Sequence, residues 1–252
     1  MKVSIIIPTR NRAKLLMERS LPSVGRQTFE NFEVIIVDDA SEEKYPFFYD
    51  GTKVAYYRNT ERMGLAWNKN FGISKAKGEY IVFLDDDNEF HPDFLTRTVA
   101  WLDEANSADA VGVDKTIVYP EGKVHHRPKI PCSINDGFLM RRKIFDIVQY
   151  DGDLQANEDA DFGIRFFKAG FIMSQIYQTL MTVYGSPIFN TTSYSDYTDH
   201  HLDGLAKFWL KHHDYKKYIG RMFLLSAGSP KWFKYLYWLG EKVKRYYQIW
   251  KS

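Results

Sequence analysis

A chain of 252 residues, 44% hydrophobic, is long enough for one substantial α/β core and fits one domain with an appendage better than two equal domains. Its one cysteine, Cys132, excludes a disulfide framework and a thiolate zinc site, so a reducing, cytoplasmic location is expected. The net charge of +2 is unevenly spread: residues 215–252 hold nine Lys/Arg and one acidic residue, so the chain before them is net acidic.

The opening stretch MKVSIIIPTRNR has too short an apolar run for a secretion signal, and reads as a buried strand over Val3 to Ile7. Nowhere do the roughly 18–20 uninterrupted apolar residues of a membrane span occur. Helical and β-branched patterns then alternate: a helix over Ala13 to Gln27, a strand over Phe32 to Val37, a strand over Val54 to Tyr57, a helix over Leu65 to Lys77 and a strand over Tyr80 to Leu84. Such alternation predicts crossover connections and a mainly parallel, Rossmann-like sheet. The near-continuous apolar runs VSIII, EVIIV and YIVFL imply that both sheet faces are covered by helices.

The second half is less regular. A helix is expected over Asp93 to Ala105, an extended run over Ala110 to Tyr119 and a hairpin turn at Glu121-Gly122. Helices follow over Arg141 to Val148 and over Glu158 to Ala169, the latter ended by Gly170. Gly185 to Asp199 reads as a long loop, and Tyr184 to His201 as a candidate lid.

Polar residues cluster directly after the apolar strands: Thr9-Arg10-Asn11, Asp38-Asp39 and Asp85-Asp86-Asp87. In open α/β sheets ligands bind at the carboxyl ends of the strands, so the three runs point at one crevice. Three adjacent carboxylates repel one another unless a cation or well-placed donors compensate. Hard oxygen ligands suit Mg²⁺ or Mn²⁺, with substrate phosphates completing the shell; a solvated acidic loop or helix start is the plainer alternative. Asp38-Asp39 reads either as a turn or as an acceptor for a nucleobase N–H or ribose hydroxyl. Arg10 and Arg12 are placed to meet a phosphate.

The ordered set VSIIIPTRNR, SLPSVGRQTFENFEVIIVDDAS, MGLAWNKNFGISKAKGEYIVFLDDDN and NEDADFGIRFFKAGF resembles the inverting glycosyltransferases of family 2, over roughly residues 3–173. The resemblance implies a single catalytic domain with the nucleotide-sugar-binding A-type fold over residues 1–214, its donor half about 1–90 and its acceptor half about 91–214. It implies that Pro8, Thr9, Arg10, Asn11, Asp38 and Asp39 bind the nucleoside of the donor, with Asp85 and Asp86 near ribose or metal. Asp87 would be the main ligand of Mn²⁺ or Mg²⁺, assisted by Asp85 and by His200 or His201. Asn68 and Lys69 stand where the family often has an Arg-Asn pair facing the donor, from which this chain departs.

Inverting transfer needs a base for the acceptor proton. By the same resemblance Asp159 takes that role, with Glu158 second and Asp161 behind both; acidic charge at a helix N-terminus is the plainer alternative. Asn135-Asp136-Gly137 would line the acceptor side. His125-His126 and His212-His213 read as surface residues.

Trp232, Tyr235, Leu236, Leu239, Val243, Tyr246, Tyr247 and Trp250 recur at helical spacing among lysines. The tail, residues 215–252, is thus an amphipathic helix, either packed on the domain or lying on an anionic membrane at the inner face. A glycan or lipid-linked acceptor and a UDP-sugar donor are the expected partners, and nucleic acid is not. The rivals are a sugar-phosphate nucleotidyltransferase, disfavoured because PTRNR lacks a glycine-rich loop, and an inactive nucleotide-sugar-binding or membrane-recruitment module.

Overall fold

The computed structural model describes residues 1–42, 53–104, 107–127, 134, 136–154, 157–185 and 211. Four parallel strands build the first half: β1 (Val3–Thr9), β2 (Phe32–Asp38), β3 (Val54–Arg58) and β4 (Tyr80–Phe83), in the order β3-β2-β1-β4. Their apolar residues divide by parity between two cores. Val3, Ile5, Ile7, Val34, Ile36 and Val82 face one side, while Ile6, Ile35, Val37, Ile81 and Phe83 face the other. This two-sided burial is why these strands read as unbroken apolar runs rather than as alternating ones.

The first core is closed by α1 (Ala13–Leu15), α2 (Leu21–Gly25) and α4 (Phe94–Glu104). A π-helical turn, Leu16–Ser20, joins α1 to α2, so the expected single helix is continuous but widened in the middle. Pro22 has no N–H to donate back into the preceding turn, and the Leu21 N–H bonds Leu16 O instead. The second core is closed by α3 (Leu65–Lys75) and α5 (Glu158–Lys168), with the 3-10 turn Arg142–Asp146 where a helix was expected.

Beyond β4 the sheet turns mixed. Two further pairs, β5 (Glu89–Phe90) with β9 (Met173–Tyr184), and β6 (Ala110–Val118) with β7 (Val124–Arg127), are antiparallel, the latter through the expected turn at Gly122. β8 (Phe138–Arg141) runs antiparallel to both β4 and β6, and β9 runs parallel to β6. The sheet has nine strands among the described residues. Among those residues no helix is long and apolar enough to cross a membrane.

The approach of the chain to β4 depends on Gly78, whose N–H donates to Ser4 Oγ at 2.8 Å. A Cβ there would lie 2.6 Å from Ser4 N and 2.7 Å from Val3 C, and backbone of a central strand cannot step aside. Gly78→Ala is therefore expected to destabilise the fold by about 1–3 kcal/mol. Thermal unfolding checks this, and an unchanged midpoint would show that β1 yields without cost.

Candidate active site

The carboxyl ends of β1, β2 and β4 open into a cleft of about 580 Å³ whose lining includes Pro8, Thr9, Arg10, Asp39, Asn68 and Glu158, together with Asp85, Asp86 and Asp87. The three polar runs thus meet in one place, as strand-end logic requires. Among the described residues three non-glycines adopt left-handed backbone, and all flank this cleft: Asn11 (φ 53°), Ala40 (φ 54°) and Asn157 (φ 61°). Asparagine tolerates that conformation, whereas Ala40 stores about 1 kcal/mol or more of strain to turn the chain after Asp39.

Asp38 and Asp39, adjacent in sequence, do different things. Asp38 is wholly buried and accepts from Ser41 N and Oγ and from Tyr56 OH, with Arg58 Nε at 3.8 Å. It holds the turn after β2 and does not line the cleft. Asp39 does line it, and its carboxylate accepts from Met63 N at 2.7 Å, Gly64 N at 3.0 Å and Asn59 Nδ2 at 3.1 Å. Asp39 thereby pins the segment before α3, which brings Arg62 to the cleft wall. Asn11 stitches the neighbouring turn, its N–H donating to Ser41 Oγ at 2.9 Å and its Oδ1 accepting from Glu42 N at 2.8 Å.

The triple-aspartate run is also differentiated. Asp86 is tied to the end of β1 through Thr9 Oγ1 at 2.7 Å and to the start of α1 through Arg12 Nη1 at 3.2 Å, while Arg12 Nη1 also reaches Asp87 Oδ2 at 2.9 Å. Burial raises the Asp86 carboxyl above its usual range, with Thr9 and Arg12 pulling the other way. Burial, then the charge of Asp136, hold the Asp85 carboxyl well above the ordinary aspartate range against the pull of Lys69. Asp136 is itself fixed by Asn88 Nδ2 at 2.5 Å.

Among the described residues no three His, Cys, Asp or Glu side chains converge as a closed metal shell. Yet the donor set fits a hard divalent cation. Asp85 is a carboxyl whose charge is disfavoured by burial and by a neighbouring carboxylate, and Asp87 shares the same cleft wall, while a diphosphate would supply the remaining oxygens. His200 and the tail 215–252 lie outside the described residues, as do all but the first two residues of the candidate lid.

At the start of α5, Glu158 lines the cleft and Asp159 stands beside it with its side chain 21% exposed. Burial pushes the Asp159 carboxyl up to about 6, Lys69 opposing and Glu158 adding to the shift. Lys69, on α3, is 2% exposed and is absent from the cleft lining. Its ammonium lies 2.5 Å from Asp159 Oδ1 and 3.2 Å from Glu158 Oε1. Asn68, the previous residue, does line the cleft and accepts from Asn59 Nδ2 at 2.7 Å. Asp161 is fully buried against Arg165 and Lys211, a structural placement. Arg62 and Asn88 line the cleft although no sequence signal marks them as binding residues; Tyr184, the first residue of the candidate lid, lies at the end of β9 and is stacked beneath the Arg19 guanidinium at 3.9 Å.

Comparison with known proteins matches this arrangement. The model of "Glycosyl transferase family 2" matches residues 4–168. An uncharacterized glycosyltransferase of Bacillus subtilis, YwdF, is 31% identical over 190 residues, which are 67% of this chain and 69% of that protein. The Campylobacter jejuni GalNAc(5)-diNAcBac-PP-undecaprenol beta-1,3-glucosyltransferase is 31% identical over 129 residues, 49% of this chain but only 40% of its own length. In fold, the chain resembles S. aureus TarS bound to UDP, with TM-score 0.64 and 21% identity over 92% of this chain and 78% of that one. It also resembles the mannosyltransferase PcManGT of Pyrobaculum calidifontis in complex with GDP-Man and Mn²⁺, with TM-score 0.62 and 19% identity over 90% of this chain and 70% of that one. The family match runs unbroken from β1 through the cleft to the helix bearing Glu158 and Asp159, and the chain therefore belongs to glycosyl transferase family 2, as a glycosyltransferase with the nucleotide-sugar-binding A-type fold.

Proposed function

We propose that the protein transfers a sugar, with inversion at the anomeric carbon, from a nucleotide diphosphate donor, UDP-linked by preference, to a hydroxyl of a glycan or lipid-linked acceptor. The observation that carries this reading is the meeting of Asp39, Asp85 and Asp87 from strand ends with Glu158 of α5 in one cleft, and Asp159 directly beside it. Pro8, Thr9 and Asp39 take the nucleoside end of the cleft. Arg10, Arg12 and Arg62 supply positive charge for the diphosphate. Asp85 and Asp87 would hold Mn²⁺ or Mg²⁺, which when bound neutralises charge on the leaving diphosphate. Asp159 accepts the acceptor proton as the new oxygen–carbon bond forms, the bond from the anomeric carbon to phosphate breaks, and the nucleoside diphosphate departs with the bonding pair.

Support for the donor class comes from neighbours of the same fold that bind UDP, UDP-GlcNAc and GDP-Man, and for a lipid-linked acceptor from the Campylobacter relative's name. Residues 215–252 form the second part of the proposal, a basic aromatic segment that brings the catalytic unit, residues 1–214, to an anionic membrane surface; its support is composition.

The test is calorimetric binding and nucleotide release with UDP-glucose, UDP-GlcNAc and GDP-mannose, each with Mn²⁺, Mg²⁺ or a chelator. At least one donor is expected to bind, with affinity falling about tenfold or more when the metal is removed. Absence of binding by all three in the presence of either metal would end the donor reading.

A further inference from the structure

The ion cluster behind the cleft wall holds more than a base and its neighbour. Lys69 sits nearly solvent-free between Asp159 and Glu158, and its ammonium also lies 4.7 Å from the Tyr150 ring centroid and 5.8 Å from that of Phe83. Stability alone is a poor reason to keep such a group, because a buried ion pair is often matched or bettered by apolar residues of similar volume. One ammonium serves two carboxylates, and Asp85, after β4, and Asp136, from the turn before β8 and itself 3.9 Å from Lys115 Nζ, also face Asp159 electrostatically.

We propose that Lys69 is a positioning residue for the transfer reaction, whose buried ammonium, fastened to Asp159 Oδ1 and anchored by Glu158 Oε1, orients the Asp159 carboxylate and holds it ionised. The inference rests on the reading of Asp159 as the base. The direction of the electrostatics agrees. Burial opposes the lysine's charge, yet Asp159 and Glu158 more than offset it and hold Lys69 well above the ordinary lysine range. The Asp159 carboxyl, pushed up by burial, Glu158 and Asp136, stops at about 6 because Lys69 pulls against them. A base there is stronger than an ordinary aspartate and still ionised at pH 7, a compromise that suits proton abstraction. Without the lysine the same surroundings would favour the protonated Asp159 carboxyl and weaken the base. Lys69 thus acts first on the proton-accepting step and reaches the donor cleft only indirectly, through Glu158 and its pull on Asp85.

The experiment follows the Asp159 carboxyl directly, by ¹³C NMR titration of the full chain labelled at aspartate carboxyls, the resonance being assigned by its loss in Asp159→Asn. Its midpoint is expected near 6 in the parent, to move up by about one unit or more in Lys69→Gln, and to stay within about half a unit in Lys69→Arg, which keeps a fixed cation. In parallel, kcat for hydrolysis of the donor that binds among UDP-glucose, UDP-GlcNAc and GDP-mannose falls about tenfold or more at pH 7 in Lys69→Gln, with donor KM within about threefold. An Asp159 midpoint that Lys69→Gln leaves unmoved would overturn the proposal, because a merely structural lysine changes yield and stability but not that titration. Should Lys69→Gln fail to fold, Glu158→Gln decides, since it relieves a charge excess instead of creating one. The Asp159 midpoint must then fall, and a constant midpoint refutes the coupling. Retention of transfer by Asp159→Asn would instead strike the base reading, and would leave the measured hold of Lys69 on that carboxyl standing.

Discussion

Asp159→Asn is expected to lower kcat for sugar transfer by about 10²–10⁴-fold and to leave donor affinity within about threefold. Asparagine has nearly the shape of aspartate but cannot accept a proton, and Glu158, not Asp159, is the member of the pair that lines the donor cleft. With Asp159 as the proposed base, the parent enzyme is expected to show the matching pH signature. With the Asp159 carboxyl pushed up to about 6, the base is protonated and silent below that pH and ionised above it, so kcat/KM rises as pH increases through about 6. Steady-state kinetics between pH 4.5 and 8 check both statements. A donor affinity that collapses in Asp159→Asn would move the residue out of the base role, as would an acidic limb lying near 4, the range of an ordinary solvated aspartate.

Phe162→Ala should cost about 3–5 kcal/mol of stability. Its ring is wholly buried, stacked on Tyr150 with centroids 4.5 Å apart and on Phe145 at 5.7 Å, in the core beneath α5. Truncation leaves a cavity one helical turn from Glu158, between α5 and the segment that carries Tyr150, so the loss falls on the packing that holds the Glu158-Asp159 turn in place. For a chain of this size the expected drop in thermal midpoint is roughly 6–20 °C. Ile172→Ala, at a side chain 53% exposed, serves as the comparison and should stay within about 0.5 kcal/mol of the parent. A fall of under about 2 °C for Phe162→Ala would mean that the second core does not depend on that ring.

Much of the donor half could be read locally. A strand buried on both faces is written as an unbroken apolar run, and such a run ending in polar residues marks a sheet's carboxyl edge. That signature located β1, β2 and β4, and with them Thr9, Asp39 and the Asp85-Asp86-Asp87 run. The second half resisted the same reading. β9, MSQIYQTLMTVY, buries residues in neither a period of two nor an unbroken run, and β8 is four residues long between a turn and a 3-10 segment. Ala110 to Tyr119 and the Glu121-Gly122 turn did mark β6 and its hairpin, but without periodicity neither β8 and β9 nor the mixed pairing beyond β4 could be anticipated.

Sequence by itself determined that strand-end carboxylates would share one crevice and that a Glu-Asp pair would open a helix, because periodicity and turn chemistry are properties of neighbouring residues. Tertiary structure alone decided which carboxylate does what. Asp38 is spent on Ser41, Tyr56 and Arg58, whereas Asp39, one residue later, reaches the cleft. Asp86 is bound to Thr9 and shares Arg12 with Asp87, whereas Asp85 is buried beside Asp136 and Lys69. Lys69, read in sequence as a donor contact, turns away from the cleft to a Glu-Asp pair 89 and 90 residues further along the chain. Charge interactions depend on distance and burial, and both are set by chain segments that no local pattern brings together.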